Sequence, residues 1–512
     1  MTKSAYARSR VLTIDELSAI SAKARQAGQS VVLAHGVFDL LHLGHVRHLE
    51  AARKFGDVLI CTVTADKFVN KGPGRPVFPE DLRAEMLSSL TCVDWSGINP
   101  DSSAETLLDA IKPTYYVKGS DYANADDDIT GKIQAEREMV ERHGGNLVFT
   151  DELTFSSSEL INRHFSAHDS EVTAFLEEMR EEVSPEKLIA LVNKVKDYKV
   201  LLIGETILDE YQYVNPMQKS AKENVLAVLY QSKELFAGGV LAAANHLAGF
   251  CEQVDVITCI GQDGYEDFVR KHVSGNVNLL LHTHSSRPTI RKRRYVDPVR
   301  MQKLFEIYYM DDRPISSQRQ AAIEAQLNDC IDDYDLVIVC DFGHGMLTNG
   351  LISLLEEKAK FLAINTQSNA ANRGFNPVTK YRRADFVCID EPESRLAVHS
   401  KHGDLNDILT KDLPASIDAE KIFITLGKQG CMAWCRKNGI VHVPAFNTSA
   451  IDTMGAGDAF FVVASALTRA GGQLRDVGFV GNIIGGLKAS YIGHRQNVEK
   501  TATLKSIVSL LK

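Results

Sequence analysis

Gly36-Val37-Phe38-Asp39-Leu40-Leu41-His42-Leu43-Gly44-His45 is the stretch whose reading decides the fold of the first part of this chain. It follows the apolar run Val31-Val32-Leu33-Ala34 and precedes residues 44–55, which read as a helix. A strand that ends in a glycine turn and leads into a helix exposes backbone amides at the positive helix end, a ready place for an anion. His42 and His45 are three residues apart, on one face of the first helical turn. Two imidazoles there can donate to α- and β-phosphate oxygens as charge builds during attack at an α-phosphorus. A pair of capping histidines is the plain alternative. A zinc site is rejected, because the HExxH spacing and a third ligand are missing.

A second stretch, Asp452-Thr453-Met454-Gly455-Ala456-Gly457-Asp458-Ala459-Phe460, has the same logic with different chemistry. Gly455, Ala456 and Gly457 let the backbone approach an anion closely and aim amides at a transferring γ-phosphoryl group. Asp458, at the start of an apolar helix, is a candidate general base for a sugar hydroxyl. Its plain alternative is a structural glycine turn with an Asp cap.

Working outward, β and α segments alternate. Val58 to Thr64, Tyr115 to Val117 and Leu147 to Phe149 read as strands, and residues 80–90 and 131–143 as helices. This alternation predicts a parallel, doubly wound sheet. Residues 166–197 change character, with a Glu- and Ser-rich stretch and a helix over 186–196, and are expected to be a linker with a lead-in helix. A second α/β domain then opens with Lys199-Val200-Leu201-Leu202-Ile203-Gly204. It has further buried strands at Val254–Cys259, Leu336–Cys340, Phe361–Ile364 and Ile422–Leu426. The expected domains are 1–165, the linker 166–197, and 198–512.

The 512 residues exceed one ordinary core, and the composition is that of a globular protein: 44% hydrophobic, 24% charged and 7% aromatic. A net charge of -9 argues against a general nucleic-acid binder while allowing local basic pockets. The nine cysteines form no CxxC pair and several sit in apolar runs, so they read as reduced, buried thiols. No run of about 18 apolar residues occurs, so a soluble, cytoplasmic protein without a membrane partner is expected.

The first stretch resembles the nucleotidyltransferases whose signature is HxGH, and the similarity extends to the bacterial heptose-phosphate adenylyltransferases. Asn70-Lys71-Gly72-Pro73-Gly74-Arg75-Pro76-Val77 resembles their substrate loop, Asp81-Leu82-Arg83-Ala84-Glu85 the helix start after it, and Tyr116-Val117-Lys118-Gly119-Ser120-Asp121-Tyr122 their KGxDY element. The resemblance implies that Gly36, Val37, Phe38 and Asp39 meet the nucleotide. Lys71 and Lys118 would neutralise phosphates, and Arg75 and Asp121 would serve the substrate. Ser156, Ser157 and Ser158 keep the hydroxyls of the family's terminal helix start as phosphate donors. The Arg that usually precedes them is absent, since Asp151 and Glu152 stand there. ATP and CTP both stay open for this site.

The second stretch resembles the C-terminal signature of the ribokinase-like sugar kinases of the PfkB family. Gly204 to Tyr211 resembles their opening turn, with Asp209 a ligand for sugar hydroxyls. Phe236-Ala237-Gly238-Gly239 resembles their sugar-site Gly-Gly, with Asn245 the nearest Asn, displaced along the chain. Asp341-Phe342-Gly343-His344-Gly345 resembles a DYxKG step, and Thr425-Leu426-Gly427-Lys428-Gln429-Gly430 a nucleotide loop through Thr425, Gly427 and Gly430. Asp390 and Glu393 take the place of an element near Mg²⁺. Where heptose-phosphate kinases carry Asp-Pro-Lys, this chain has Asn365-Thr366-Gln367. In Arg291-Lys292-Arg293-Arg294, a strand would turn Arg291 and Arg293 to one side, toward an anionic substrate group or toward solvent.

Together the resemblances imply two α/β domains in one chain, a Rossmann-like HxGH nucleotidyltransferase followed by a ribokinase-like kinase, the reverse of the usual order. They imply Mg-ATP for the kinase, ATP or CTP for the transferase, sugar phosphates as substrates, a separate pathway phosphatase and a dimer. A polyol- or glycerol-phosphate cytidylyltransferase, a kinase domain decayed to sugar sensing, and an inert transferase beside a working kinase are the alternatives.

Overall fold

A computed structural model describes residues 7–69, 76–119, 133–150, 170–219, 223, 225–446 and 450–511. The chain divides into two compact units, Met1–Asp169 with Leu504–Lys512, and Ser170–Thr503.

The first unit is built on β1 (Val11–Leu12), β2 (Val31–Gly36), β3 (Val58–Thr64), β4 (Trp95–Asn99), β5 (Tyr115–Gly119) and β6 (Asn146–Thr150), in the order β1-β4-β3-β2-β5-β6. Every pairing is parallel. Strands buried on both faces read as continuous apolar runs. Along β2 and β3, Val32, Ala34, Leu59, Cys61 and Val63 enter one core while Val31, Leu33 and Ile60 enter the other. That split is the two-residue side-chain period of a strand. Because β3 and β5 flank β2 on opposite sides, the strand order reverses there, and the loop leaving β2 opens into the crevice where ligands of such sheets bind. β4 escaped the sequence reading because Trp-Ser-Gly-Ile-Asn carries a glycine mid-run. A Cβ at Gly97 would lie 2.7 Å from both the Leu12 carbonyl and Leu17, so close packing against β1 requires glycine.

The second unit holds two sheets. The larger combines β7 (Lys199–Gly204), β10 (Gln253–Gly261), β11 (Val277–His284), β14 (Leu336–Asp341), β15 (Leu362–Thr366), β16 (Arg383–Asp390), β17 (Asp418–Thr425), β18 (Cys431–Cys435) and β19 (Gly439–Val443). Its order is β11-β10-β7-β14-β15-β16-β17-β18-β19, with the last two strands antiparallel. The reversal of order falls between β7 and β14. The smaller sheet joins β8 (Thr206–Lys219), β9 (Leu226–Gly239), β12 (Ile290–Asp297) and β13 (Gln302–Tyr309) in the order β13-β12-β8-β9. Residues 170–182, expected as part of a linker, instead form a helix, Ser170–Glu182, followed by Pro185–Lys194. Both belong to the second unit, where Arg475 bonds Glu178 and Glu182 at 3.0 and 2.7 Å.

All nine cysteines are free. Among the described residues no helix is long and apolar enough to cross a membrane.

Arg83, with no side-chain exposure, ties the first unit together at its ligand edge. It donates to the carbonyls of Phe78, Val37 and Thr64 and pairs with Asp66 at 2.5 Å. Removing one partner of a buried charge pair costs about 3–5 kcal/mol. Arg83→Ala is therefore expected to destabilise the first unit by about that much. The chain's two tryptophans, Trp95 and Trp434, lie one in each unit. Urea unfolding followed by Trp95 fluorescence in a Trp434→Phe background measures the loss. A change under about 1 kcal/mol would show this clamp to be dispensable.

Candidate functional sites

The first site forms where β2 ends. Phe38 takes a left-handed conformation (φ 49°), which turns the chain sharply after Val37. Asp39 is buried and its carboxylate accepts the Val77 amide at 2.6 Å, fixing the turn to the start of the helix Glu80–Ser88. His42 caps the helix Leu43–Arg53, its Nδ1 accepting the Gly44 amide at 3.1 Å. An Nδ1 that accepts leaves the ring proton on Nε2, so that atom is a donor. The His42 and His45 rings stack with centroids 4.0 Å apart, and Phe38 meets His45 edge-on at 5.2 Å. The sequence pattern placed both histidines on one helical face, and the structure brings them into contact.

Lys118 closes the same crevice from the end of β5. Its ammonium pairs with Glu136 at 3.0 Å, and both side chains are largely buried. Its field is felt by two histidines the sequence reading passed over. Burial first, then Lys118, lowers the His35 ring to about 3 and depresses His48 as well. His35 Nδ1 meets Thr62 at 3.0 Å and His48 Nδ1 meets Thr150 at 2.7 Å. The result is a cluster of neutral imidazoles around one ammonium at the sheet's switch point. Lys71, Arg75, Asp121 and Ser156, Ser157 and Ser158 lie outside the described residues.

The second site lies at the carboxyl edge of the larger sheet, faced by the smaller one. Gly455 caps the helix Ala456–Arg469 in a left-handed conformation (φ 73°) with no side-chain cap bond. The first amides of a helix have no intrahelical partner, so Gly457 and Asp458 present N–H groups to an anion. Among the described residues the Asp458 carboxylate has no hydrogen-bond partner. Burial raises it above the ordinary carboxylate range, against the opposing charges of His494, Lys292 and Lys488. A raised carboxylate is a better base.

Asp209, on β8, is buried between Arg294 and His494, the latter at 3.4 Å. Burial works to raise its carboxyl, but these two partners hold it well below the usual range. Gly238 and Gly239 lie beside it on β9: a Cβ on Gly238 would collide with the Asp209 carboxylate at 2.1 Å, and Gly239 has φ 59°. The basic run on β12 alternates as expected, with a consequence the sequence did not show. Arg291 and Arg293 turn to Glu210, at 3.1 and 3.0 Å, and flank the Tyr309 ring. Lys292 and Arg294 take the buried face beside Asp209, and the Lys292 charge also acts on Asp458.

Two expected site elements carry backbone bonds that the sequence did not show. Asn245, expected at the sugar, spends its amide on the His272 carbonyl and its carbonyl on the Ser274 amide, both at 2.8 Å, and so fastens a turn. Asp390 and Glu393, expected at a metal, close a capping box on the helix Glu391–Ala397 at 2.7 and 2.8 Å, and Glu393 also accepts the Ser368 amide. Among the described residues no group of three or more His, Cys, Asp or Glu side chains is arranged around a metal. The two carboxylates still fit Mg²⁺ as a hydrated ion: burial raises both, Glu391 adds to Asp390, and Asp390 and Asp458 add to Glu393, so the pair gains from a nearby cation. Thr425, Gly427 and Gly430 form the turn between β17 and β18, where Gly430 (φ 95°) would strike the Val443 carbonyl with any Cβ.

Glu205 and Asp341 close the floor of the site. Glu205 accepts the amides of Phe342, His344 and Met346 at 3.0, 3.0 and 3.3 Å, which shapes the Asp341–Gly345 turn. Asp341 accepts the Tyr381 hydroxyl at 2.7 Å and pairs with Lys380 at 2.5 Å.

The family "pfkB family carbohydrate kinase" matches residues 197–501, more than half of the chain. The chain belongs to the pfkB carbohydrate kinases. Residues 33–163 match the "Cytidylyltransferase-like" family, so this pfkB kinase carries a nucleotidyltransferase-like domain ahead of its kinase domain. The N-terminal region is similar to proteins named "Bifunctional protein HldE". That of Photobacterium profundum is 40% identical over 153 residues, 30% of this chain and 31% of that protein, and that of Aliarcobacter butzleri is 42% identical over 120 residues, 23% and 25%. The chain thus spans about three tenths or less of the length of the curated relatives it matches. The fold of phosphofructokinase-2 from Escherichia coli, solved in complex with potassium, overlays 62% of this chain and all of that one, with TM-score 0.50 at 14% identity.

The Glu205 carboxyl gives this site a pH signature. Burial first, then Asp341, raises it above its ordinary 4.5, against the Phe342 and His344 amides and Lys380. The folded state therefore keeps a proton that the unfolded chain releases. Stability is full below about 4.5 and falls as pH rises toward neutrality. Urea midpoints read by Trp434 fluorescence in a Trp95→Phe background are expected to decline over that window. Glu205→Gln is expected to flatten the decline, and an equally steep decline in that variant would assign the proton elsewhere.

Proposed function

We propose that this chain makes a nucleotide-activated sugar, using the kinase domain on a sugar or sugar phosphate and the first domain on a sugar-1-phosphate. The observation that carries the reading is that each unit presents a phosphate-binding turn at its switch point, with chemistry suited to a different phosphorus. At the first turn, a substrate phosphate oxygen attacks the α-phosphorus of a nucleoside triphosphate, the bond to the β-phosphate breaks, and pyrophosphate leaves. The His42 Nε2 proton, His45 and Lys118 meet the charge that builds on the phosphates, and no covalent nucleophile is needed. Lys71, Arg75, Asp121 and Ser156, Ser157 and Ser158 complete this site by family resemblance.

At the second turn, Asp458 takes the proton of a sugar hydroxyl as its oxygen attacks the γ-phosphorus, and ADP leaves. The Gly457 and Asp458 amides receive the transferring phosphoryl oxygens. Asp209, with Gly238 and Gly239 giving it room, holds sugar hydroxyls. Asp390 and Glu393 would hold Mg²⁺ as a hydrated ion, which would neutralise charge on the ATP phosphates. ADP-heptose for lipopolysaccharide or another surface glycan is the product suggested by the HldE-named relatives, with a separate phosphatase acting between the steps. A cytoplasmic dimer follows from the same analogy.

Pyrophosphate release by the full chain, with ATP or CTP against sugar-1-phosphates including D-glycero-D-manno-heptose-1-phosphate, tests the first half. Release with ATP and the heptose substrate is expected. Release only with CTP and a polyol phosphate would move the chain to the cytidylyltransferase alternative. His42→Ala is expected to cut this release by about 10²–10³-fold and leave ADP formation intact. Asp458→Asn is expected to cut ADP formation by about 10²–10⁴-fold and leave pyrophosphate release intact. Unchanged rates in either variant would remove the role given to that residue.

A further inference from the structure

Lys488 lies near the end of the helix Leu474–Ala489, and its side chain has no solvent exposure. Its ammonium donates to two backbone carbonyls, Met454 and Gly493, both at 2.7 Å. Met454 stands directly before Gly455, the cap of the phosphate-binding helix. Gly493 belongs to the loop whose next residue, His494, meets Asp209 and would strike any Cβ on Gly455 at 2.7 Å. The amides of the same two residues go to one carboxylate: Asp452 accepts Met454 N at 3.2 Å and Gly493 N at 2.9 Å. Met454 and Gly493 are thus each gripped on both sides of the Cα, by an anion on the N–H and a cation on the carbonyl. Asp452 is fixed in turn by Tyr211 at 2.7 Å and Lys303 at 3.0 Å, so its place does not depend on solvent.

Burying an ammonium is expensive, and burial lowers Lys488 to about 8, against the attraction of Asp452, Asp458 and Asp209. A lysine that served only to fill space could be an aliphatic residue at no such cost. The arrangement around it, converging carbonyl oxygens beside carboxylates, is what replaces the hydration shell of a bound monovalent cation. Here a covalently attached ammonium takes those oxygens.

We propose that Lys488 is a built-in monovalent cation for the phosphate-binding turn. It holds the Met454 and Gly493 carbonyls and places a fixed positive charge behind the Gly457 and Asp458 amides. Phosphoryl transfer by this chain therefore runs without a dissociable monovalent cation. Lys488 is a positioning residue: it touches neither substrate nor the transferred group. The proposal rests on the kinase reading given above.

The test uses the full chain in KCl, NH₄Cl or tetramethylammonium chloride at equal ionic strength. ADP formation from ATP with a panel of sugars and sugar phosphates is measured for wild type, Lys488→Met and Lys488→Gln. Wild-type rates are expected to agree within about twofold across the salts, and the variants to lose about tenfold or more in tetramethylammonium and recover in KCl or NH₄Cl. Rescue by a small cation is a readout that a purely structural lysine would not give. The Trp434 unfolding transition without ATP, read in the Trp95→Phe background, serves as the folding control for each variant. The ATP-induced rise in the Trp434 unfolding midpoint, measured in the same salts, reads the same question without any phosphate acceptor. Cation-independent ATP stabilisation in wild type with no turnover on the panel would keep this inference and sink the sugar-kinase reading. Wild-type rates or ATP stabilisation that depend on KCl, or folded variants indifferent to every cation, would overturn it.

Discussion

Parallel strand pairing is the constraint from which both sites follow. A parallel strand must be left by a crossover connection, and its two faces must be covered, so its side chains are consumed by the core. What remains for chemistry is the carboxyl edge, where loops leave strands and helices present unbonded amides. In each unit the first long strand of the sheet, β2 or β7, is flanked on both sides, and the loops there diverge to opposite faces. The crevice this opens holds His42, His45 and Lys118 in one unit and Glu205, Asp341 and Asp458 in the other. Neither sheet needs a special residue to create its cleft; the strand order alone does it.

A crevice of this kind gathers charge, and buried charge is tolerated only when paired. The chain meets that demand by tying each buried charge to the backbone of a loop that must hold its shape. Arg83 fixes the Val37 carbonyl, Asp39 the Val77 amide, Glu205 three amides of the 342–346 turn, and Asp452 with Lys488 the amides and carbonyls of Met454 and Gly493. Replacing such networks by apolar side chains is often neutral for stability, so stability does not account for them. Their common effect is that the phosphate-binding turns are shaped before any ligand arrives, and preorganised donors are the ones that help a transition state most.

The legible part of this architecture was the part that is local in sequence. Strand end, glycine turn and helix start lie within ten residues at Gly36–His45, and a glycine turn and helix start within ten at Asp452–Asp458, so both turns could be read from spacing. The capping box at Asp390 and Glu393 was equally local: an Asp followed three residues later by Glu, ahead of an apolar position, is its signature, and the resemblance to a metal element drew attention from it. His494, Arg294 and Lys488 were out of reach because they meet Asp209 and Met454 across long stretches of chain. On β12 the alternation was legible but its sense was not. Which of Arg291/Arg293 or Lys292/Arg294 faces the site depends on the pairing with β8, which no local pattern shows. The smaller sheet was hidden for a related reason: its strands carry mixed polar and apolar residues on a half-exposed surface, and its two hairpins join only through β12 and β8, about 80 residues apart.

The loop 491–497 joins these strands of the argument. His494 stands between Asp209, the proposed sugar ligand, and Gly455, the cap of the proposed phosphate turn, while the neighbouring Gly493 is bound by Asp452 and Lys488. On the proposed roles, one short segment therefore sets the distance between the group that would hold the attacking hydroxyl and the amides that would receive the transferred phosphoryl. Phosphoryl transfer leaves the protein little covalent work, and its rate depends on that distance and alignment. A change in the loop would then alter the rate of the bound complex more than the affinity for either substrate, since each substrate keeps its own contacts and loses only its registration with the other. The glycine at 455 follows from the same geometry. Its left-handed backbone and the imidazole 2.7 Å from its missing Cβ leave no room for a side chain, so the phosphate turn and the sugar carboxylate are locked to one another through the absence of a single carbon.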